Sequence, residues 1–467
     1  KIDGSTKRTG TCVNKMDVTH VETEVSIVDF VNCNVDNTVC TISSDIDQSY
    51  TLLNNVEWRL DGVVRVGGGF VQVDNDEDVT AIQAAGVTLT VQPGTHVKAL
   101  DDGILIVTRG SRIVADGTRN APITFSSLDD GFNGLGEWGG LVIQGFAPHF
   151  GTGDTGACFG DGTVCNVEGE GGSDVETSRF GGNIPDDDSG ILRYVRIAEG
   201  GLVAGPNNEV NGLTMQGVGH GTEISFVQVH NNLDDAFEWF GGTVNARYIV
   251  ATGNDDDDID FDEGWRGNVQ YALAVKSQDK PSPTGSNDPR GVEANSGNED
   301  YVPQTNGALA NITVVGGPLV NSPNTERPGL LLRGAVTASI YNSSVQGFDT
   351  ACVQIQDADT DGSGSPDVFG AITLINVLGN CADGYYSGAR VADQDDNAGP
   401  LMFSLDSALA LDATSGSLAS PVAIPAVANG SGFTFDATDY IGAVEPGTAV
   451  GDAWWSGWTI PGSLDLN

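Results

Sequence analysis

The sequence predicts an all-β protein, a right-handed parallel β-helix solenoid with an N-terminal extension and a C-terminal cap. Three observations carry that prediction. Asp234-Asp235-Ala236-Phe237-Glu238-Trp239 superimposes, 22 residues on, upon Asp256-Asp257-Asp258-Ile259-Asp260-Phe261, acid on acid and apolar on apolar at five of six positions. Strand-like segments that each begin with an aromatic residue, Tyr194-Val195-Arg196-Ile197, Phe226-Val227-Gln228-Val229, Tyr248-Ile249-Val250-Ala251 and Tyr271-Ala272-Leu273-Ala274, start 32, 22 and 23 residues apart. Sixty-four glycines in 467 residues, many beside Asp or Asn, suit a chain that turns a corner every few residues. A period in the low twenties fits coils that bury their inner faces only by stacking on one another.

Residues 1–50 lie outside the repeat and are read as an N-terminal arm or cap. Residues 51–400 carry the β-helix. Its first segments are Val87-Thr88-Leu89-Thr90-Val91, Ile104-Leu105-Ile106-Val107 and Ile123-Thr124-Phe125, each closed by turn residues. The 32-residue interval contains one insertion, and the later segments, Asn311–Val315, Ala338–Tyr341 and Ile372–Ile375, are separated by longer loops. No convincing amphipathic helix is found. Residues 401–467 are read as a β-rich cap, with Trp454, Trp455 and Trp458 covering the open end of the solenoid. A chain of this length would ordinarily form two or three domains, but a solenoid core grows in one dimension.

The formal charge of −43, with only six lysines, excludes nucleic acid as a partner, and cations become the natural ones. Equivalent side chains in stacked strands sit about 4.8 Å apart. Carboxylates at that spacing repel by roughly 0.8 kcal/mol per pair even at water's dielectric constant. A cation is therefore expected on the ladder Asp256, Asp257, Asp258, Asp260, Asp262 and Glu263. Alternation sends Ile259 and Phe261 inward and leaves Asp258, Asp260 and Asp262 on the outer face, where Ca²⁺ would bridge rungs. A second Ca²⁺ site is expected at Asp357-x-Asp359-x-Asp361-Gly362-Ser363, whose carboxylates are spaced two apart before a glycine. Val368, with Asp367 before it, stands where an EF-hand loop places its bidentate glutamate, so the reading is a single Ca²⁺ loop without EF-hand helices.

Cysteine spacing points to an oxidising compartment. Cys33 and Cys40 enclose six residues, as do Cys158 and Cys165, and each pair is read as a pinned loop. Cys352 and Cys381, 29 apart, span about one long coil and are expected to pair. Cys12 is left over. Zinc is a poor fit, because no Cys-x-x-Cys occurs and His20, His96, His149, His220 and His230 form no ligand-spaced cluster. The start at Lys1 is read as that of a processed chain, and no apolar run of about 18 residues is present to span a membrane.

Signals for catalysis are weaker, and no catalytic residue is assigned. Asp234-Asp235 and Gly219-His220-Gly221 occur in the reverse of the order that β-helix polysaccharide hydrolases use. A Ca²⁺-dependent lyase would need a base such as Arg247, Arg266 or Lys276. Gly134-x-Gly136-x-x-Gly139 sits in no β-α-β context and is read as turns.

Several segments resemble successive coils of a family of secreted bacterial β-helix surface proteins. They are Trp58-Arg59-Leu60-Asp61-Gly62, Leu89-Thr90-Val91-Gln92-Pro93-Gly94-Thr95, Ile106-Val107-Thr108-Arg109-Gly110, Ala115-Asp116-Gly117-Thr118, Ala121–Ser127 and Gly136–Ile143, with the closing Asp439-Tyr440-Ile441-Gly442-Ala443. The resemblance covers roughly residues 50–467 and implies fold and location more than activity. Together these readings predict an extracellular or outer-surface protein stabilised by Ca²⁺, with a structural role and self-assembly into filaments or a layer. The alternatives are a polysaccharide-binding adhesin and a β-helix lyase or hydrolase. The assembly expectation rests on the basic arm Lys1, Lys7, Arg8 and Lys15, which would dock on a second copy's acidic surface.

Overall fold

The computed structural model describes residues 24–150, 165–169, 179–205, 208–278, 289–296, 302–317, 327–356, 371–384, 386–388, 403–418 and 421–466. It is a right-handed parallel β-helix whose coils contribute to a broad sheet of 15 strands and a narrow sheet of 10. In the regular part each coil gives one long and one short strand. The long strands are Gly190–Ala198, Glu223–His230, Ala246–Thr252, Arg266–Val275, Asn306–Val315, Thr337–Gln346 and Ile372–Asn380. The short ones include Leu213–Gln216, Phe237–Phe240, Ile259–Asp262, Val292–Ala294, Leu330–Leu332 and Val353–Ile355. Phe237 pairs with Ile259, Glu238 with Asp260 and Trp239 with Phe261, so the 22-residue repeat is the register of the sheet itself.

The core follows from that register. Leu192, Ile224, Ala246, Val269, Leu309, Ile340 and Leu374 form one continuous buried column up the broad sheet. Each large member contributes about 1.5–3 kcal/mol by leaving water.

Outside the core, every long strand bends at one residue with positive φ: Tyr194 (50°), Phe226 (54°), Tyr248 (58°), Tyr271 (66°), Asn311 (53°), Asn342 (47°) and Asn376 (55°). The aromatic residues taken as strand starts are thus bends inside strands. Such a conformation is strained for a bulky residue. Here the rings recoup the cost by stacking face to face at 4.5, 4.5 and 4.8 Å along Tyr194, Phe226, Tyr248 and Tyr271. Higher up, asparagines take the same position and hydrogen-bond one another or the covering chain, as Asn376 does to Asn342 at 3.0 Å. Asn311, Asn342 and Asn429, which head Asn-x-Ser/Thr sequons, are all buried in such contacts.

Three expectations about the periphery change. The broad sheet begins upstream of residue 51: an antiparallel hairpin, Val31–Cys33 with Val39–Ile42, is pinned by the Cys33–Cys40 disulfide and continues in parallel into Glu57–Leu60. A ten-residue helix occupies Asp76–Ala85, started by the Asn75 side chain accepting from the Asp78 N–H at 2.9 Å, with Asp76, Glu77 and Asp78 in its first turn. The C-terminal segment is neither β-rich nor placed over an end. Its described residues carry isolated bridges and the short helical turns Ala413–Gly416 and Val450–Asp452 rather than strands, and they run along the flank of the broad sheet. Asn268 bonds Val427, Arg247 bonds Asp436, Asn342 accepts from the Gly442 N–H, and Arg119 reaches the Ser456 carbonyl. Trp458 meets the edges of Tyr194 and Phe226, and Trp454 tilts over Tyr248. The reason is the aromatic ladder, an apolar stripe on an outer face that demands cover.

The Cys352–Cys381 disulfide joins neighbouring coils as expected. Cys165 is disulfide-bonded, while Cys158 and Cys12 lie outside the described residues.

Candidate metal centre

The narrow sheet presents its own outer row. Because Phe237, Trp239, Ile259 and Phe261 point inward, the register stacks Thr214, Glu238, Asp260, Glu293, Leu331 and Gln354 on the outside. The turns that lead into these strands carry Asp234-Asp235, Asp256-Asp257-Asp258 and Arg290. Eight acids are therefore gathered in the middle of the solenoid.

They divide into two sets. The first is paired with basic side chains, although burial still raises Asp257 and Asp258. Lys276 Nζ lies 3.2 Å from Asp258, both wholly or almost wholly buried, and also donates to the Asp256 carbonyl. Asn254 donates to Asp258 at 3.1 Å. The Arg290 N–H donates to Asp257 Oδ1 at 2.8 Å and its guanidinium to Asp257 Oδ2 at 3.3 Å. Glu293 sits between the guanidiniums of Arg290 and Arg333. Of these cations Arg333 is the exposed one, with 46% of its side chain accessible.

In the second set, carboxylate oxygens of Asp234, Asp235 and Asp256 lie within 4.8 Å of one another, and so do those of Asp235, Glu238 and Asp260. Asp235 belongs to both groups. Its Oδ1 accepts from the Asp257 N–H at 2.8 Å, and Glu238 accepts from the Asn211 amide. Burial raises the Asp235 pKa well above the carboxylate range, and the charges of Asp256, Asp257, Glu238 and Asp234 raise it further. Asp260 is raised in the same way, by burial and then by Glu293, Asp257 and Asp262. Asp260 Oδ1 is a buried oxygen with no hydrogen-bond partner, and on the rung next to Glu238 the Thr214 hydroxyl is likewise buried and unsatisfied. Hard oxygen donors converging from two coils, with acceptor capacity left over, fit Ca²⁺ better than a thiolate- or imidazole-seeking ion.

Asp256 and Asp260 of the expected ladder thus join these groups. Asp257 and Asp258 do not, and Asp258, expected on the outer face, points into the turn because buried Lys276 pairs with it. Asp262 accepts from the Glu263 N–H and from Asn295, and Glu263 pairs with buried His149. Asp357, Asp359, Asp361 and Ser363 lie outside the described residues. Asp234, Asp235 and Glu238 were not among the expected ligands, although the 22-residue superposition already aligned them with Asp256, Asp257 and Asp260. Nothing periodic marks Arg290 or Arg333, which follow loops of irregular length. Gly219-His220-Gly221 follows the strand Leu213–Gln216 whereas Asp234-Asp235 precede Phe237–Phe240, so the two motifs lie at opposite ends of the narrow-sheet strands.

Residues 77–398 match the family described as the pectate-lyase-like beta helix domain. No curated protein matches the chain. Among solved structures, the A-module of the Azotobacter vinelandii mannuronan C-5 epimerase AlgE4 is similar over 74% of this chain and 86% of the module, at 13% identity and a TM-score of 0.32. The catalytic domain of a GH87 α-1,3-glucanase, in a variant bound to nigerose, is similar over 77% of this chain and 65% of that domain, at 10% identity and a TM-score of 0.22.

Proposed function

Because the chain belongs to the pectate-lyase-like β-helix family, we propose that it is an extracellular protein whose narrow-sheet face binds Ca²⁺ and, through the bound ion, an acidic polysaccharide. The observation that carries this reading is the convergence of Asp234, Asp235, Asp256, Glu238 and Asp260 from adjacent coils, with exposed Arg333 on the same sheet. Ca²⁺ supplies positive charge and open coordination positions. The protein's own residues hold the ligands and, at Arg333, offer a guanidinium to a sugar carboxylate. A surface of net charge −43 repels a polyuronate, and a bridging cation reverses that sign locally. The disulfides fit an oxidising compartment. Binding is favoured over turnover because two of the bases suggested by sequence are engaged elsewhere, Lys276 on Asp258 and Arg247 on Asp436.

Calorimetric titration with Ca²⁺, followed by electrophoresis through gels containing polygalacturonate with Ca²⁺ or with chelator, tests the reading. Retardation only in Ca²⁺, lost in Glu238→Gln/Asp260→Asn, is expected. Equal mobility in all gels sinks the polysaccharide, and a flat calorimetric titration sinks the ion.

A second reading, a structural surface protein, is favoured by the fact that the ligands come from successive coils, so that one ion would also staple the solenoid. Self-assembly through the basic arm belongs to this reading. Light scattering and electron microscopy of a chain lacking residues 1–45, with and without Ca²⁺, test it: assembly indistinguishable from the full chain removes the arm from the account.

A further inference from the structure

The acid that both ligand groups share, Asp235, is held from behind by a residue outside both. Its Oδ1 accepts from the backbone N–H of Asp257 at 2.8 Å. The Asp257 side chain is in turn fixed by Arg290, through the backbone N–H at 2.8 Å and the guanidinium at 3.3 Å. The same turn is pinned to its neighbours by backbone bonds, with the Ala236 N–H donating to the Asp257 carbonyl at 2.8 Å and the Asp258 N–H to the Arg290 carbonyl at 3.2 Å. Arg290 therefore sits at the back of a three-coil chain, Arg290 to Asp257 to Asp235. Its guanidinium also meets Glu293, a carboxylate that, like Asp257, lies outside the two ligand groups.

We infer that Arg290 and Asp257 form a positioning pair that sets the Ca²⁺ affinity of the acidic site without touching the ion, by fixing the orientation of the shared ligand Asp235. This rests on the reading of the acidic groups as a Ca²⁺ site. The physical basis is the general one for outer partners of a metal site: a ligand carboxylate with one lone pair already committed to a rigid donor presents its remaining lone pairs in one direction. Removing that donor's support typically weakens metal binding 10- to 100-fold.

The test is the double substitution Asp257→Asn/Arg290→Gln in the full chain, which leaves the formal net charge unchanged, so that a change in affinity reports geometry rather than bulk electrostatics. Glu293 keeps Arg333 as its partner in this variant. Calorimetry with CaCl₂ alone is expected to show at least tenfold weaker binding. Melting in chelator measures the purely structural part separately. Arg290→Lys, which keeps the charge and the backbone donor, is expected to recover most of the lost affinity. Should the double variant fail to fold, the charge-conserving pair Asp257→Glu/Arg290→Lys, which displaces both contacts, carries the same expectation.

Calcium binding within twofold of the wild type in the folded variant overturns the inference and leaves the Ca²⁺ reading intact. Absence of any binding heat in the wild type overturns both.

Discussion

The two flanks of this solenoid repeat with the same period and face opposite consequences. On the broad sheet, in-register stacking brings ring onto ring, and each aromatic contact adds about 0.5–1.5 kcal/mol beyond its buried area. The stripe is then sealed by the chain's own C-terminal segment. On the narrow sheet, the same stacking brings carboxylate beside carboxylate. Two buried cations, Lys276 and Arg290, pair with the acids that point into the turns, and burial raises those acids and the remaining ones alike, the remaining ones also through one another's charge. Repetition thus stabilises a solenoid where the repeated side chain attracts its own kind, and strains it where it repels. The proposed Ca²⁺ would relieve that strain.

The largest effect expected is on the sealed flank. Trp458 is wholly buried against Tyr194 and Phe226, and Trp458→Ala should cost about 3–5 kcal/mol in denaturant unfolding. The loss should be equal in Ca²⁺ and in chelator. A loss that depends on Ca²⁺ would break the separation of the two flanks.

Next comes the acidic flank. Ca²⁺ at 100 times its dissociation constant should stabilise the wild type by about 2.7 kcal/mol, read as a melting temperature several degrees higher than in chelator. In Glu238→Gln/Asp260→Asn that difference should vanish.

A smaller, signed effect concerns pH. Unfolded carboxylates titrate near about 3.9, whereas burial and Glu263 raise Asp262 to about 6, and Asp235 and Asp260 are raised as well. The folded chain therefore holds more protons than the unfolded one across this window. Stability in chelator should be greatest at the acid end and should fall as pH rises from about 4 through about 6. Ca²⁺ should flatten the decline. Asp187, which belongs to neither ligand group and is raised to about 7 by burial, supplies a control: Asp187→Asn should lessen the decline equally in Ca²⁺ and in chelator. A chelated protein whose stability rises over this range would contradict the assignment.

The smallest effect is Phe226→Leu, which breaks the ring stack between Tyr194 and Tyr248. A loss of about 1 kcal/mol is expected. A neutral result would mean that cover by Trp458, rather than stacking, stabilises that flank.

Sequence exposed most of the fold because a solenoid writes its register into its period: the offset between Asp234 and Asp256 is also the offset between paired strands. It exposed less of the site. The alternation rule placed Ile259 and Phe261 correctly inside, yet it failed for Asp258, where the chain is already turning and a lysine 18 residues later, Lys276, decides the direction. Arg290 and Arg333 could not be placed by period, since insertions separate them from the regular coils. The helix Asp76–Ala85 was legible after all in Asn75 followed by three acids. The C-terminal flank was not, because its shape is set by the surface it covers rather than by any pattern of its own.

That flank has a further consequence. The strap touches Arg119 at one end of its path and Asn342 at another, and between them it meets side chains at fixed rungs. A stack of alike coils has no intrinsic length and tolerates the gain or loss of a unit by gene duplication or deletion. Inserting one coil of 22 residues between Arg119 and Asn342 would slide every later rung by about 4.8 Å against the strap. The terminal segment therefore works as a ruler, and it makes this solenoid an object of defined size.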